Sequence, residues 1–249
     1  MMVTVNDIFE FLSEKYPLDT AYDFDNAGFL VGNKETIVTK ILVCLDCDKF
    51  ALEKASEMGC ELIITHHPVI FDPLKIVTHG DIVYELIKSD ISVISMHTNL
   101  DIAKGGVTDS LCEALELKNV KPYTAHDGFS IRSAKTDIKD PDELALHIKE
   151  KLVYSVRYVG KNQIENVLVC SGSGAEFIED VITEEFDALI TADVKHHIFI
   201  EAINKGVSVF DCGHYASEVV VVEPLTKLLT DRFNETEIIS YYSDKIKSV

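Results

Sequence analysis

Apolar residues recur along the chain in two rhythms. From Val5 to Tyr16 they fall at helical spacing, through Ile8, Phe9, Phe11 and Leu12, and stop before Pro17. Ile41–Leu45, Glu61–Thr65 and Ile91–Met96 are instead short runs rich in β-branched residues, which predict buried strands. Phe50–Met58, closed by Gly59, and Val83–Lys88 read as helices between them, and Thr108–Leu117 as another after Gly105-Gly106. The second half continues in kind. Pro141–Leu152 predicts a helix, Asn166–Cys170 a strand and Ser171-Gly-Ser-Gly174 a turn. Ala188–Thr191 and Val207–Phe210 predict strands around a helix at Val194–Lys205, and Ser217–Phe233 a long helix interrupted or re-entered at Pro224. Strands alternating with helices predict an α/β fold with mostly parallel or mixed sheets.

The pattern repeats. Leu42-Val-Cys44 and Leu168-Val-Cys170 lie 126 positions apart, as do Ile64-Thr65 and Ile190-Thr191. Each copy then runs through helix and strand to a histidine, His97 or His214, with a carboxylate four positions later, Asp101 or Glu218. Two similar α/β units follow, 1–125 and 126–249, joined near the polar stretch Tyr123–Gly128. The C-terminal helix is free to pack back on the first unit, and a site would fall in the cleft between the two.

Composition narrows the function. Against 23 basic side chains stand 42 acidic ones in 249 residues, a formal charge of −19. Such a surface repels phosphate backbones, which argues against nucleic acid as a partner but not against a small anionic substrate, since a bound metal ion can invert the local field. No apolar run is long enough to span a bilayer, and Met1–Asp7 lacks the basic start of an export signal, so a cytoplasmic location without membrane attachment is expected. The six cysteines are then expected as free thiols; Cys44-Leu-Asp-Cys47 has no second pair for a zinc site.

In open α/β sheets, ligands bind beyond the carboxyl ends of the strands. His66 and His67 follow one predicted strand, His97, Asn99 and Asp101 a second, His214 and Glu218 a third. In a helix, His214 and Glu218 share a face. His97 and Asp101 have the same spacing, but the nearby Gly105-Gly106 favours a loop. Neighbouring residues on a regular strand point to opposite faces, so His66 and His67 can serve one cleft only if the strand has ended, which Pro68 allows. Imidazole with carboxylate suits Zn²⁺, Fe²⁺ or Mn²⁺. The alternative is that these histidines cap strands and donate to backbone carbonyls. His196-His197 lies in a helical pattern, where one ring is expected to pack and the other to face outwards. Cys212 reads as a buried strand-end thiol.

The runs Asp25-Asn-Ala-Gly-Phe-Leu-Val-Gly32, Ile64-Thr-His-His-Pro68, His97-Thr-Asn-Leu-Asp101 with Gly105-Gly106, and Asp211-Cys-Gly-His-Tyr-Ala-Ser-Glu218 resemble the Nif3-like dinuclear metal-centre proteins, known as GTP cyclohydrolase I type 2 homologues. The resemblance covers nearly the whole chain, in order and spacing. Phe24 stands where that family usually has tryptophan, a packing variation, and 249 residues leave no room for the inserted middle domain of longer relatives. The resemblance implies two divalent metal ions per chain, held by His66, His67, Asp101, His214 and Glu218. Glu218 would bridge, with His67 and Asp101 on one ion and His66 and His214 on the other. His97 would stand close by, either supporting the metal ligands from behind or acting as a proton shuttle. It also implies a homohexamer and a hydrolase acting on a nucleotide or related heterocycle, for which GTP imidazole ring opening is the family's label. The competing reading is a non-catalytic metal-binding or regulatory hexameric scaffold.

Overall fold

The fold is taken from a computed structural model, which describes residues 2–160, 163–184 and 186–246. In chain order its strands are β1 (Gly28–Val31), β2 (Lys40–Cys44), β3 (Leu62–Thr65), β4 (Ser92–Ser95), β5 (Lys118–Thr124), β6 (Ser130–Lys135), β7 (Arg157–Val159), β8 (Asn166–Ser173), β9 (Ala188–Ala192), β10 (Ser208–Asp211) and β11 (Glu237–Ser240). The chain divides into two compact units, Met1–Ala103 with Val222–Val249, and Lys104–Val221. The sequence reading puts a single join at 125/126. Packing instead divides the chain at 103/104 and 221/222, because β11 hydrogen-bonds beside β2 and returns the C-terminal stretch to the first unit.

The first unit holds a five-stranded sheet in the order β1-β4-β3-β2-β11. β11, β2, β3 and β4 are parallel, and β1 runs antiparallel on the edge. Leu42, Cys44, Ile63 and Val93 bury one face against Ala51, Leu52 and Ala55 of the helix Lys49–Met58 and Val83 and Leu86 of the helix Ile82–Lys88. Asp48 caps the first of these helices, and Gly59 ends it at φ 69°, a conformation that suits glycine. The opening helix, Val5–Lys15, starts with a reciprocal cap: the Thr4 hydroxyl accepts from the Asp7 amide, and the Asp7 carboxylate accepts from the Thr4 amide. Thr4→Ala should therefore lower stability by about 1 kcal/mol, measured as a shifted urea midpoint at unchanged slope.

The second unit holds a six-stranded sheet in the order β5-β6-β8-β9-β10-β7. β8, β9 and β10 are parallel; β5, β6 and β7 add antiparallel pairings. Side chains alternate across β8 as a strand requires. Val167 and Val169 pack with Leu111, Leu144 and Ile148, while Leu168 packs with Ile178, Val181, Phe199 and Ala202 on the other face. The duplication is legible in the pairings: Leu42 stands opposite Ile63 and Leu168 opposite Leu189, the same 126-residue offset. In each unit an antiparallel edge strand flanks the third strand of the parallel set, β1 on β4 and β7 on β10.

Three local expectations change. Asn166–Cys170 does not stop at the glycines: β8 runs to Ser173, with an irregularity between Val169 and Ser173 that absorbs them. The C-terminal helix breaks earlier than Pro224, into His214–Glu218, a 3₁₀ turn at Val219–Val221 and Val222–Arg232. Pro224 sits in the first turn of the last piece, where no intrahelical partner is lost. His196 and His197 begin a helix and both are exposed, so neither packs.

Candidate metal centre

The chain end of β3 explains how adjacent histidines can point the same way. The His66 and His67 amides both donate to the Leu45 carbonyl, at 3.2 and 3.0 Å, so alternation has stopped. Their ring centroids lie 5.0 Å apart. After β4, His97 opens a single helical turn, Thr98–Ile102, rather than the expected loop; the Leu100 and Asp101 amides donate back to its carbonyl. One nitrogen each from His66, His67 and His97 gathers within 4.8 Å, a grouping that could hold a metal ion. Asp101, on the same turn, brings a carboxylate oxygen 3.6 Å from His66 Nε2.

In the second unit, Gly213 turns the chain at φ 80° and His214 opens the helix His214–Glu218. As the spacing predicts, the two side chains share a face, with His214 Nε2 3.1 Å from Glu218 Oε2. Glu218 is buried. The Glu218 hydrogen bond raises the His214 pKa, burial opposes it and Asp193 adds to the rise, so the imidazole is pushed up to about 9.

The four rings have one feature in common. His66 Nδ1 lies 2.9 Å from the Met96 carbonyl, and His67, His97 and His214 each set Nδ1 2.7 Å from a carboxylate oxygen, of Asp46, Asp25 and Asp193. An oxygen at Nδ1 selects the tautomer protonated there and leaves the Nε2 lone pair for a ligand, the arrangement behind metal-bound histidines. Burial pushes the Asp25 carboxyl up, but hydrogen bonds from His97 and from Thr98 outweigh it and hold it at about 2. Asp25, Asp46 and Asp193 escape a search for strand-end ligands because they act through a ring. One signal was available: Asp193 stands 126 positions after His67, at the equivalent strand end.

Gly172 makes room for the His214–Glu218 pair. A Cβ there would lie 2.0 Å from Glu218 Oε1 and 3.4 Å from His214 Nε2, and its φ of 61° already disfavours a side chain. Its amide donates to Ser217 Oγ at 2.9 Å, which fixes the helix beside it. Gly172→Ala should push the Glu218 carboxylate away. In metal-free protein the His214 pKa should then fall from about 9 toward the ordinary histidine range, read from its ring-proton shifts against pH.

Other sequence candidates recede. All six cysteines are free, and burial pushes the Cys212 thiol up to about 12, where it is inert as a nucleophile. The Gly105 amide donates to the Asp109 carboxylate at the turn before the helix Val107–Ala114. Among the described residues no helix is long and apolar enough to cross a membrane.

Comparison with known proteins places this geometry. The family model Duf34/NIF3 (NGG1p interacting factor 3) matches residues 3–247. A Clostridium perfringens protein named GTP cyclohydrolase 1 type 2 homolog is 34% identical over 242 residues, 92% of each chain. A Methanocaldococcus jannaschii protein of the same name is 30% identical, covering 94% of this chain and 97% of its own. Among solved structures, the Staphylococcus aureus hypothetical protein SA1388 superposes with a TM-score of 0.92 at 27% identity over the whole of both chains. Matched over nearly its full length, this chain belongs to the Duf34/NIF3 family.

Proposed function

We propose that the protein is a dinuclear metal-dependent hydrolase acting on a nucleotide or related heterocycle, in the manner of a GTP cyclohydrolase I type 2. His66, His67, Asp101, His214 and Glu218 would hold two divalent ions, with Zn, Fe and Mn the best match to imidazole plus carboxylate. The observation that carries the reading is the engagement of Nδ1 on all four strand-end histidines, which makes Nε2 the ligating atom of each neutral ring; at His214 an ion would displace the proton shared with Glu218. Bound there, the ions would supply Lewis acidity and acidify water.

His97 has a different part in this reading. Asp25 holds its Nδ1, orients the ring and stabilises the imidazolium when Nε2 takes a proton. His97 would thus carry the proton between water and substrate. The relatives' shared name supports a purine nucleotide, GTP first among them. The same reading takes the protein as a cytoplasmic homohexamer, checked by sedimentation.

The test is turnover. Protein loaded anaerobically with Zn²⁺, Mn²⁺ or Fe²⁺ should open the GTP imidazole ring, and His97→Gln should lower kcat roughly 10²–10⁴-fold, the usual size of a lost acid–base group. Inactivity with every metal across a panel of nucleotides and phosphoesters would leave the scaffold reading in its place.

A further inference from the structure

A run of three aromatic side chains leads away from His97 in the first unit. Phe71 meets the His97 ring edge-on at 6.1 Å, Phe24 lies 6.5 Å from Phe71, and Tyr22 stacks on Phe24 at 5.8 Å and 27°. Phe24 is 56% exposed and Phe71 47%, although phenylalanine normally ranks among the buried residues. Neither faces water for lack of a fixed loop. Asp25, one residue from Phe24, binds the His97 ring and the Thr98 amide and hydroxyl. The Tyr22 amide donates to Thr98 Oγ1, and Asn26 Nδ2 donates to the Ile70 carbonyl at 2.6 Å, next to Phe71. These bonds tie both ring-bearing loops to the turn that carries His97. The rings are therefore preorganised, and the polar groups of the histidine cluster begin where they end, with His97 5.1 Å from His66 and 5.8 Å from His67 between ring centroids.

We propose that Phe24 and Phe71 form a stacking platform for the flat heteroaromatic part of a small-molecule ligand, whose polar edge then faces His97. Aromatic faces with a few convergent polar groups are the usual lining of a small-molecule site. Two tilted rings present faces and edges to a third, the offset geometry aromatic groups prefer. An alkyl or sugar group gains nothing specific from that arrangement. The proposal rests on the hydrolase reading in putting the ligand's reacting edge at the histidines.

The chain contains no tryptophan, so Phe24→Trp installs a lone fluorescent reporter on the platform. Guanosine should quench it saturably, while ribose 5-phosphate and choline should not. Adding Phe71→Ala should weaken guanosine about ten-fold, and Phe71→Tyr should restore it to within about two-fold, the scale of one aromatic pair. Circular dichroism and metal content should be unchanged in each variant. Absent or non-saturable quenching, quenching indifferent to Phe71→Ala, or equal quenching by choline overturns the platform. So does dissociation of the assembly by Phe71→Ala with quenching intact, which would make these rings a subunit contact. The two readings fail separately: guanosine stacking without turnover sinks only the hydrolase, and GTP turnover unaltered by Phe71→Ala sinks only the platform.

Discussion

Glu218→Gln should leave the chain folded and take bound divalent metal from about two ions per chain to less than one. The substitution keeps the shape of the side chain and removes its charge, and a neutral amide cannot bridge two cations. The fold should survive because the helix His214–Glu218 is pinned elsewhere. The Ser217 hydroxyl bonds the Gly172 amide and the His214 carbonyl, and the Ser217 amide donates to the Gly213 carbonyl. Elemental analysis of protein prepared anaerobically, without added metal or an affinity tag, reads the outcome, with the melting temperature as the folding control. Wild-type protein holding less than one ion, or Glu218→Gln holding as much as wild type, removes the dinuclear proposal. Asp193→Asn gives a graded companion. The Asp193 carboxylate holds the far nitrogen of His214, so metal affinity should fall by roughly 10- to 100-fold rather than vanish.

The histidines that could serve as ligands were visible in the sequence because each closely follows the stop of a β-branched run. Thr65 ends β3 before His66-His67, Ser95 ends β4 just before His97, and Asp211 ends β10 just before His214. The i,i+4 pairing of His214 with Glu218 was visible for the same reason that any helix face is. What was not visible is what holds the rings. Asp25 reaches His97 across 72 positions, and Asp46 reaches His67 across 21. Such contacts exist only once the sheet has set its register. The β5–β6 hairpin was missed on different grounds. β5 is exposed at all but one of its positions, so no alternation of apolar and polar residues marks it. The division at 103/104 and 221/222 was not legible because no pattern after Phe233 says which sheet the last strand joins. β11 lies beside β2, with Glu237 opposite Lys40, 197 positions away.

Arg132→Ala should cost about 3–5 kcal/mol, the penalty for breaking a buried ion pair from one side. Arg132 lies on β6 with only 2% of its surface exposed, and its Nε donates to Asp109 Oδ1. Asp109 also accepts from the Gly105 amide at 2.7 Å, on the turn that starts the helix Val107–Ala114. The guanidinium thus offsets a carboxylate whose other bond shapes a turn, and losing it strands that charge and opens a void of arginine size. At about 2–4 °C per kcal/mol for a chain of this length, the melting temperature should fall by roughly 10 °C. Arg132→Met separates the two contributions. It fills the space without the charge, so it should recover the packing part of the loss and leave the electrostatic part. The double variant Arg132→Met with Asp109→Asn removes both charges and should recover stability further, because a neutral pair leaves no buried ion. If Asp109→Asn in the Arg132→Met background brings no recovery, the pair is not what fastens this turn to β6, and the loss in Arg132→Ala is a cavity effect alone.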